Sequence, residues 1–116
     1  MVSYLRARLK SIGYAFEGLG SLIRSEKNMW IHLAATIVVI VAGILKKIDR
    51  HDWTIIIIAI AAVWITEAIN TAIEKLCNML SPEIHPVIKQ VKDISAAAVL
   101  IAAITAVILA VFIFLG

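Results

Sequence analysis

Proline is confined to Pro82 and Pro86, and cysteine to Cys77, in a chain of 116 residues. One thiol excludes an internal disulfide and a thiolate zinc cluster, and Cys77 reads as a small residue on a helix flank. His32, His51 and His85 are scattered and match no zinc spacing; His85, between the two prolines, is the one expected near a polar site. A glycine-rich Walker loop and a protein-kinase signature are both missing, so a nucleotide-using enzyme built from this sequence needs an unrelated architecture. No internal repeat or low-complexity linker occurs. No signal peptide is expected either, because the first apolar run begins only at Ile31 and lacks a short apolar core with a small-residue cleavage site.

What the chain has instead is apolar surface. Hydrophobic residues make up 62% of it, and a soluble fold of this size could not hide so many. Ile31 to Leu45 is apolar except for His32 and Thr36, and Ile94 to Leu115 is long enough to cross a bilayer unaided. Thr54 to Thr66 starts a third run that continues without a helix breaker to Leu80. The pattern predicts an all-α membrane protein of one domain, residues 1–116, with a surface helix over 1–28 and membrane helices over 29–48, 53–80 and 93–115. Pro82 and Pro86 end the long second span, Ser81 resembles an N-cap before Pro82, and Asp93 is placed to cap the third span.

Loop charges orient the spans. Arg6, Arg8, Lys10, Arg24 and Lys27 precede the first span, and Lys75, Lys89 and Lys92 follow the second, whereas the loop between these spans holds Lys46, Lys47 and Arg50. The positive-inside rule puts the N-terminus and the 75–93 connection in the cytoplasm. In the first segment Leu5, Leu9, Ile12, Phe16, Leu19 and Ile23 recur at helical spacing, with Arg6, Lys10, Glu17 and Arg24 elsewhere. That amphipathic helix suits the lipid interface, with its basic residues against anionic head groups, or packing on the protein's own spans.

The stretch ITEAINTAIEKLCN, residues 65–78, places Glu67, Asn70 and Glu74 on one face of an otherwise apolar helix. A carboxylate within a span costs on the order of 3 kcal/mol, so Glu67 must be buried in protein, near water, paired or protonated. Glu74 lies two turns nearer the cytoplasm, and Glu26, Lys92 and Asp93 collect at that level from two other segments. Two carboxylates and a lysine there suit a divalent cation and a phosphate chain, since magnesium takes oxygen ligands and keeps substrate phosphates in its shell. Ala98, Ala102, Ala106 and Ala110 form a ladder of small side chains that permits close helix packing, within one subunit or between several. Three thin spans are expected to need an oligomer to shield Glu67 from lipid.

Five motifs, GYAFEGL, SEKNMWIH, EAINTAIE, SPEIHP and VKDISAAAVLIA, occur in this order across nearly the whole chain. Together they resemble the small prokaryotic diacylglycerol kinases, a family that includes the undecaprenol kinases. The resemblance implies a homotrimer of three-span subunits in the bacterial cytoplasmic (inner) membrane, with an N-terminal surface helix and composite active sites at the cytoplasmic face. It also implies transfer of the γ-phosphate of ATP, with Mg2+, to a lipid alcohol: diacylglycerol, giving phosphatidic acid, or undecaprenol, giving undecaprenyl phosphate. No nucleic-acid partner is implied.

By motif position, Glu67 resembles the catalytic base and Asn70 its positioning partner, while Glu74 and Glu26 resemble the magnesium ligands. Lys92 and Asp93 resemble the nucleotide-binding pair, and Tyr14, Glu83, Ile84 and His85 match positions lining the nucleotide site. The chain departs from the family pattern at Asn78, commonly aspartate, and at Ile84, commonly tyrosine. The NMWIH and SPEIHP forms look closer to the Gram-positive branch, where undecaprenol is the preferred acceptor. The rival reading is a small proton-coupled multidrug exporter, which also uses a membrane glutamate but usually has four spans and no cytoplasmic cluster of metal ligands.

Overall fold

The computed structural model describes residues 1–80 and 85–116. Its elements are α1 (Val2–Ser25), α2 (Lys27–Lys46), α3 (Arg50–Leu80) and α4 (Pro86–Leu115). The last three are long and apolar enough to cross a membrane, and the chain is a multi-pass membrane protein.

Helix ends depart from the hydropathy-based expectation, each for a local reason. Between α1 and α2 only Glu26 is extended, at φ −108° and ψ 117°. Its N–H donates to Leu22 O and its carbonyl accepts from the Met29 N–H, both at 3.2 Å, so one residue ends the first helix and opens the second. α3 begins at Arg50 rather than at 53 because the Asp49 carboxylate accepts from the Asp52 N–H at 2.9 Å, satisfying a free donor of the first turn. α4 begins at Pro86 rather than at 93, with His85 as its N-cap and His85 Nδ1 accepting from the Val87 N–H at 3.2 Å. Proline is well suited to a first helical position because its missing N–H needs no partner there. Asp93 is therefore not a cap; it sits two turns inside α4, paired with Lys89 Nζ at 2.7 Å. The expected Ser81 and Pro82 cap lies outside the described residues.

α2 and α3 are antiparallel. Contacts pair Ser25 with Lys75, His32 with Glu67, and Thr36 with Trp64, one number rising as the other falls. At the far end Lys47 takes the left-handed conformation at φ 53°, and its N–H donates to Ile44 O while the Ile48 N–H donates to Gly43 O. This double closure turns the chain sharply into α3. Lys46 Nζ donates to Phe114 O at 3.2 Å, which ties the ends of α2 and α4 together.

α3 and α4 make the most extensive helix contact. Ala106 and Ala110 of the alanine ladder face Ile56, Ala59 and Ile60 of α3 across a small gap, so this part of the ladder packs inside one chain. α1 is anchored mainly by its last turns, where Leu22 is buried, whereas Leu5, Leu9, Ile12 and Phe16 stay uncovered, Phe16 at 70% exposure. Packing on the chain's own spans therefore holds for the last turns of α1, where it meets α2 and α3, and not for the first four turns. No residue in the most apolar stretch of α4 is buried either. Apolar faces this large are untenable in water and ordinary against lipid or another subunit.

Gly43 carries a specific packing constraint: a Cβ there would lie 2.7 Å from Trp53 Cη2 and 3.1 Å from Ile48 Cδ1. Gly43→Val should therefore wedge the α2–α3 turn open and cost roughly 1–3 kcal/mol. Thermal unfolding in detergent checks this, and an unchanged midpoint would show that the indole ring can move aside.

Candidate active site

Glu67 is 2% exposed and is among the most completely buried side chains described. Helix periodicity directs it toward α2, as it does Val63 and Thr71, which are also buried. There His32 Nε2 and Glu67 Oε2 lie 3.1 Å apart. One turn farther from α1 the Trp64 indole N–H donates to Thr36 Oγ1 at 3.0 Å, and Thr36 Oγ1 itself donates to His32 O at 2.7 Å. The two polar interruptions of the first apolar run are thus the two groups that reach across to α3.

His32 adds to the sequence-based expectation, which named only His85 as a histidine near the cytoplasmic polar cluster and offered none beside Glu67. A partner was required for a buried carboxylate, and the first span had one ionisable residue in its interior to offer, which is the signal that could have found it. The expectation that Glu67 needs neighbouring subunits for shelter is corrected, since the single chain already encloses it.

A cleft of about 340 Å³ opens beside this pair. Asn28, His32, Glu67 and Asn70 give it a polar side, while Ile31, Val99, Leu100 and Ala103 give it an apolar one. A polar group on a greasy body fits such walls. Asn70, one turn from Glu67, lines the same cleft.

Glu26 and Glu74 are both half-buried. The Lys75 Nζ–Ser25 Oγ contact of 3.3 Å agrees with the antiparallel register of α2 on α3 that the His32–Glu67 and Trp64–Thr36 pairs set. Antiparallel stepping from that contact sets Glu26 and Glu74 at one height, about 10 Å along the helix from Glu67. Each offers carboxylate oxygens, the atom type that magnesium takes. One turn beyond Glu74, half-buried Lys92 donates through Nζ to Asn78 Oδ1 at 2.8 Å. An asparagine oxygen holds the ammonium without neutralising it, so its charge remains available to an anion. Asp93 is exposed on Lys89, His85 is exposed at the start of α4, and Tyr14 is 66% exposed on α1. The structure does not bring these three into the Glu67 cleft. Glu83 and Ile84 lie outside the described residues.

Comparison with known proteins shows that residues 13–114 match the family described as prokaryotic diacylglycerol kinase. The chain is similar to undecaprenol kinase of Bacillus subtilis (strain 168), at 34% identity over 91% of this chain and 86% of that one. It is also similar to diacylglycerol kinase of Escherichia coli (strain K12), at 31% identity over 86% of this chain and 82% of that one. Diacylglycerol kinase of Helicobacter pylori (strain ATCC 700392 / 26695) is 31% identical over 79% of this chain and 72% of its own.

The bond between Trp64 and Thr36 should be measurable by itself. In a double-mutant cycle of Trp64→Phe and Thr36→Val, the coupling energy is expected at about 0.6 kcal/mol, with a ceiling near ~1.7 kcal/mol, as for other hydrogen bonds between membrane helices. Additive effects on unfolding would show that the two side chains do not act together.

Proposed function

The chain belongs to the prokaryotic diacylglycerol kinase family and is a lipid kinase, and from that premise we propose how its residues divide the work. ATP is the phosphate donor, and the acceptor is the primary hydroxyl of diacylglycerol or undecaprenol. The observation that carries the reading is the enclosed Glu67 at the wall of a cleft that is polar on one side and apolar on the other. Family membership leaves the exporter reading without support.

The lipid alcohol enters laterally with its body along Ile31, Val99 and Leu100, and its hydroxyl reaches Glu67 and Asn70. Glu67 accepts the hydroxyl proton as the oxygen bonds to the γ-phosphorus and ADP leaves with the bridging oxygen. Asn70 orients the hydroxyl. Glu26 and Glu74, oxygen donors at one height, would hold magnesium, which when bound supplies charge neutralisation for the phosphates. Lys92, held by a neutral amide, adds a fixed positive charge for the phosphate chain. Asp93, Tyr14, Glu83, Ile84 and His85 line the nucleotide site in this reading.

Phosphoryl transfer needs positioning and charge neutralisation more than covalent help, so these few groups suffice. The uncovered stripe of α1 lies in the cytoplasmic lipid interface, next to the nucleotide end of the site. The uncovered face of α4 and the family resemblance favour a homotrimer in the bacterial inner membrane with its active sites toward the cytoplasm. Cross-linking in membranes tests this, and monomeric behaviour would rule it out.

Glu67→Gln is expected to keep nucleotide binding and assembly but lose most turnover; a wild-type rate of lipid phosphorylation would remove Glu67 as the base. Glu74→Ala should weaken magnesium-dependent nucleotide binding, and an unaltered magnesium titration would contradict its ligand role. In mixed micelles, undecaprenol should be phosphorylated faster than diacylglycerol, as the NMWIH and SPEIHP forms suggest. The reverse order would assign the chain to the diacylglycerol-preferring branch.

A further inference from the structure

We infer that His32 is the positioning residue for Glu67: its Nε2–H holds one carboxylate oxygen so that the other faces the cleft. The inference rests on the proposed base role of Glu67, and the geometry extends it. His32 Nε2 lies 3.1 Å from Glu67 Oε2, between an 18% exposed imidazole side chain and a carboxylate side chain exposed by only 3%. Both residues border the same cleft as Asn70.

An ionised carboxylate can only accept hydrogen bonds, so when Glu67 acts as a base the contact requires the Nε2–H form of the ring. The bond does two things. It stabilises the charged carboxylate in apolar surroundings, where an unpaired charge is costly. It also removes rotational freedom about the last side-chain torsion of Glu67, which is otherwise broad. With Oε2 occupied, Oε1 remains for the lipid hydroxyl.

The position of the imidazole is itself supported. Thr36 lies one turn along α2 from His32, and its hydroxyl accepts from the Trp64 N–H of α3. Trp64 in turn precedes Glu67 by almost one turn of α3. Two cross-helix hydrogen bonds, Trp64 to Thr36 and His32 to Glu67, therefore set the height of α2 against α3 at the carboxylate. A ring held this way resists sliding along the span.

The test compares His32→Met, which keeps apolar bulk without an N–H, with His32→Gln, whose amide can donate from nearly the same place. For His32→Met, kcat should fall about 10- to 100-fold, the value of a hydrogen bond to a charged group, while KM for magnesium-ATP stays unchanged. His32→Gln should restore most of the lost turnover. A purely structural histidine predicts instead a lower unfolding midpoint with wild-type kcat per folded enzyme. Wild-type kcat in His32→Met, or equal impairment of both variants, overturns the inference.

Should His32→Met fail to fold, nitrogen-15 NMR of histidine-labelled protein decides. The His32 Nε2 resonance should move when Glu67→Gln is introduced, and an unmoved resonance overturns the pairing. The two readings fail separately: an inactive Glu67→Gln beside a fully active His32→Met removes only the role of His32, whereas a fully active Glu67→Gln removes the base itself.

Discussion

Burying Glu67 inside an apolar bundle is the constraint around which this fold is arranged. A carboxylate at that depth is costly unless another group satisfies it. The only interior ionisable residue of the first span, His32, lies at hydrogen-bond distance on the facing helix. That single contact dictates how far α2 slides along α3, and the Trp64 to Thr36 bond reinforces the same register one turn away. The glycine at position 43 then lets the far ends of the two helices close over Trp53. Polar contacts thus determine an alignment that apolar packing alone leaves open, since one leucine-like surface slides on another with little penalty in lipid.

The same register distributes polar groups by depth. Glu67 and Asn70 share a cleft with apolar walls, Glu26 and Glu74 lie about 10 Å nearer the α1 end, and Lys92 rests on Asn78 one turn beyond. A lipid alcohol and a nucleotide reach a membrane enzyme from different phases, so in the proposed reading the site serving both is graded along the membrane normal. Short helical steps along one face of α3 provide that gradient without any long loop. Local capping completes it: Glu26 turns the chain within one residue, and His85 with Pro86 starts α4 early enough to carry Lys92 on a helix.

Much of this was legible in the sequence. Apolar runs separated the three spans, and three- and four-residue spacing grouped Glu67, Asn70 and Glu74 on one face. Helix ends were less legible, because Lys89, Gln90, Lys92 and Asp93 read as a loop when hydropathy is the guide, although nothing in their chemistry breaks a helix. His32 was missed as the partner of Glu67 for a related reason. His85 lies close to the site residues along the chain, whereas His32 meets Glu67 from 35 residues away, and sequence distance carries no information about which faces of two helices meet.

The amino-acid sequence by itself determined the number of spans, the polar face of α3 and the family to which the chain belongs, because each follows from composition, periodicity or ordered motifs. Only the tertiary structure decided which side chain satisfies Glu67, and that one subunit is enough to enclose it. Both depend on the rotation and axial shift of α2 against α3. Those are properties of a packed pair, settled by cross-helix hydrogen bonds and the room at Gly43, and absent from either helix taken alone.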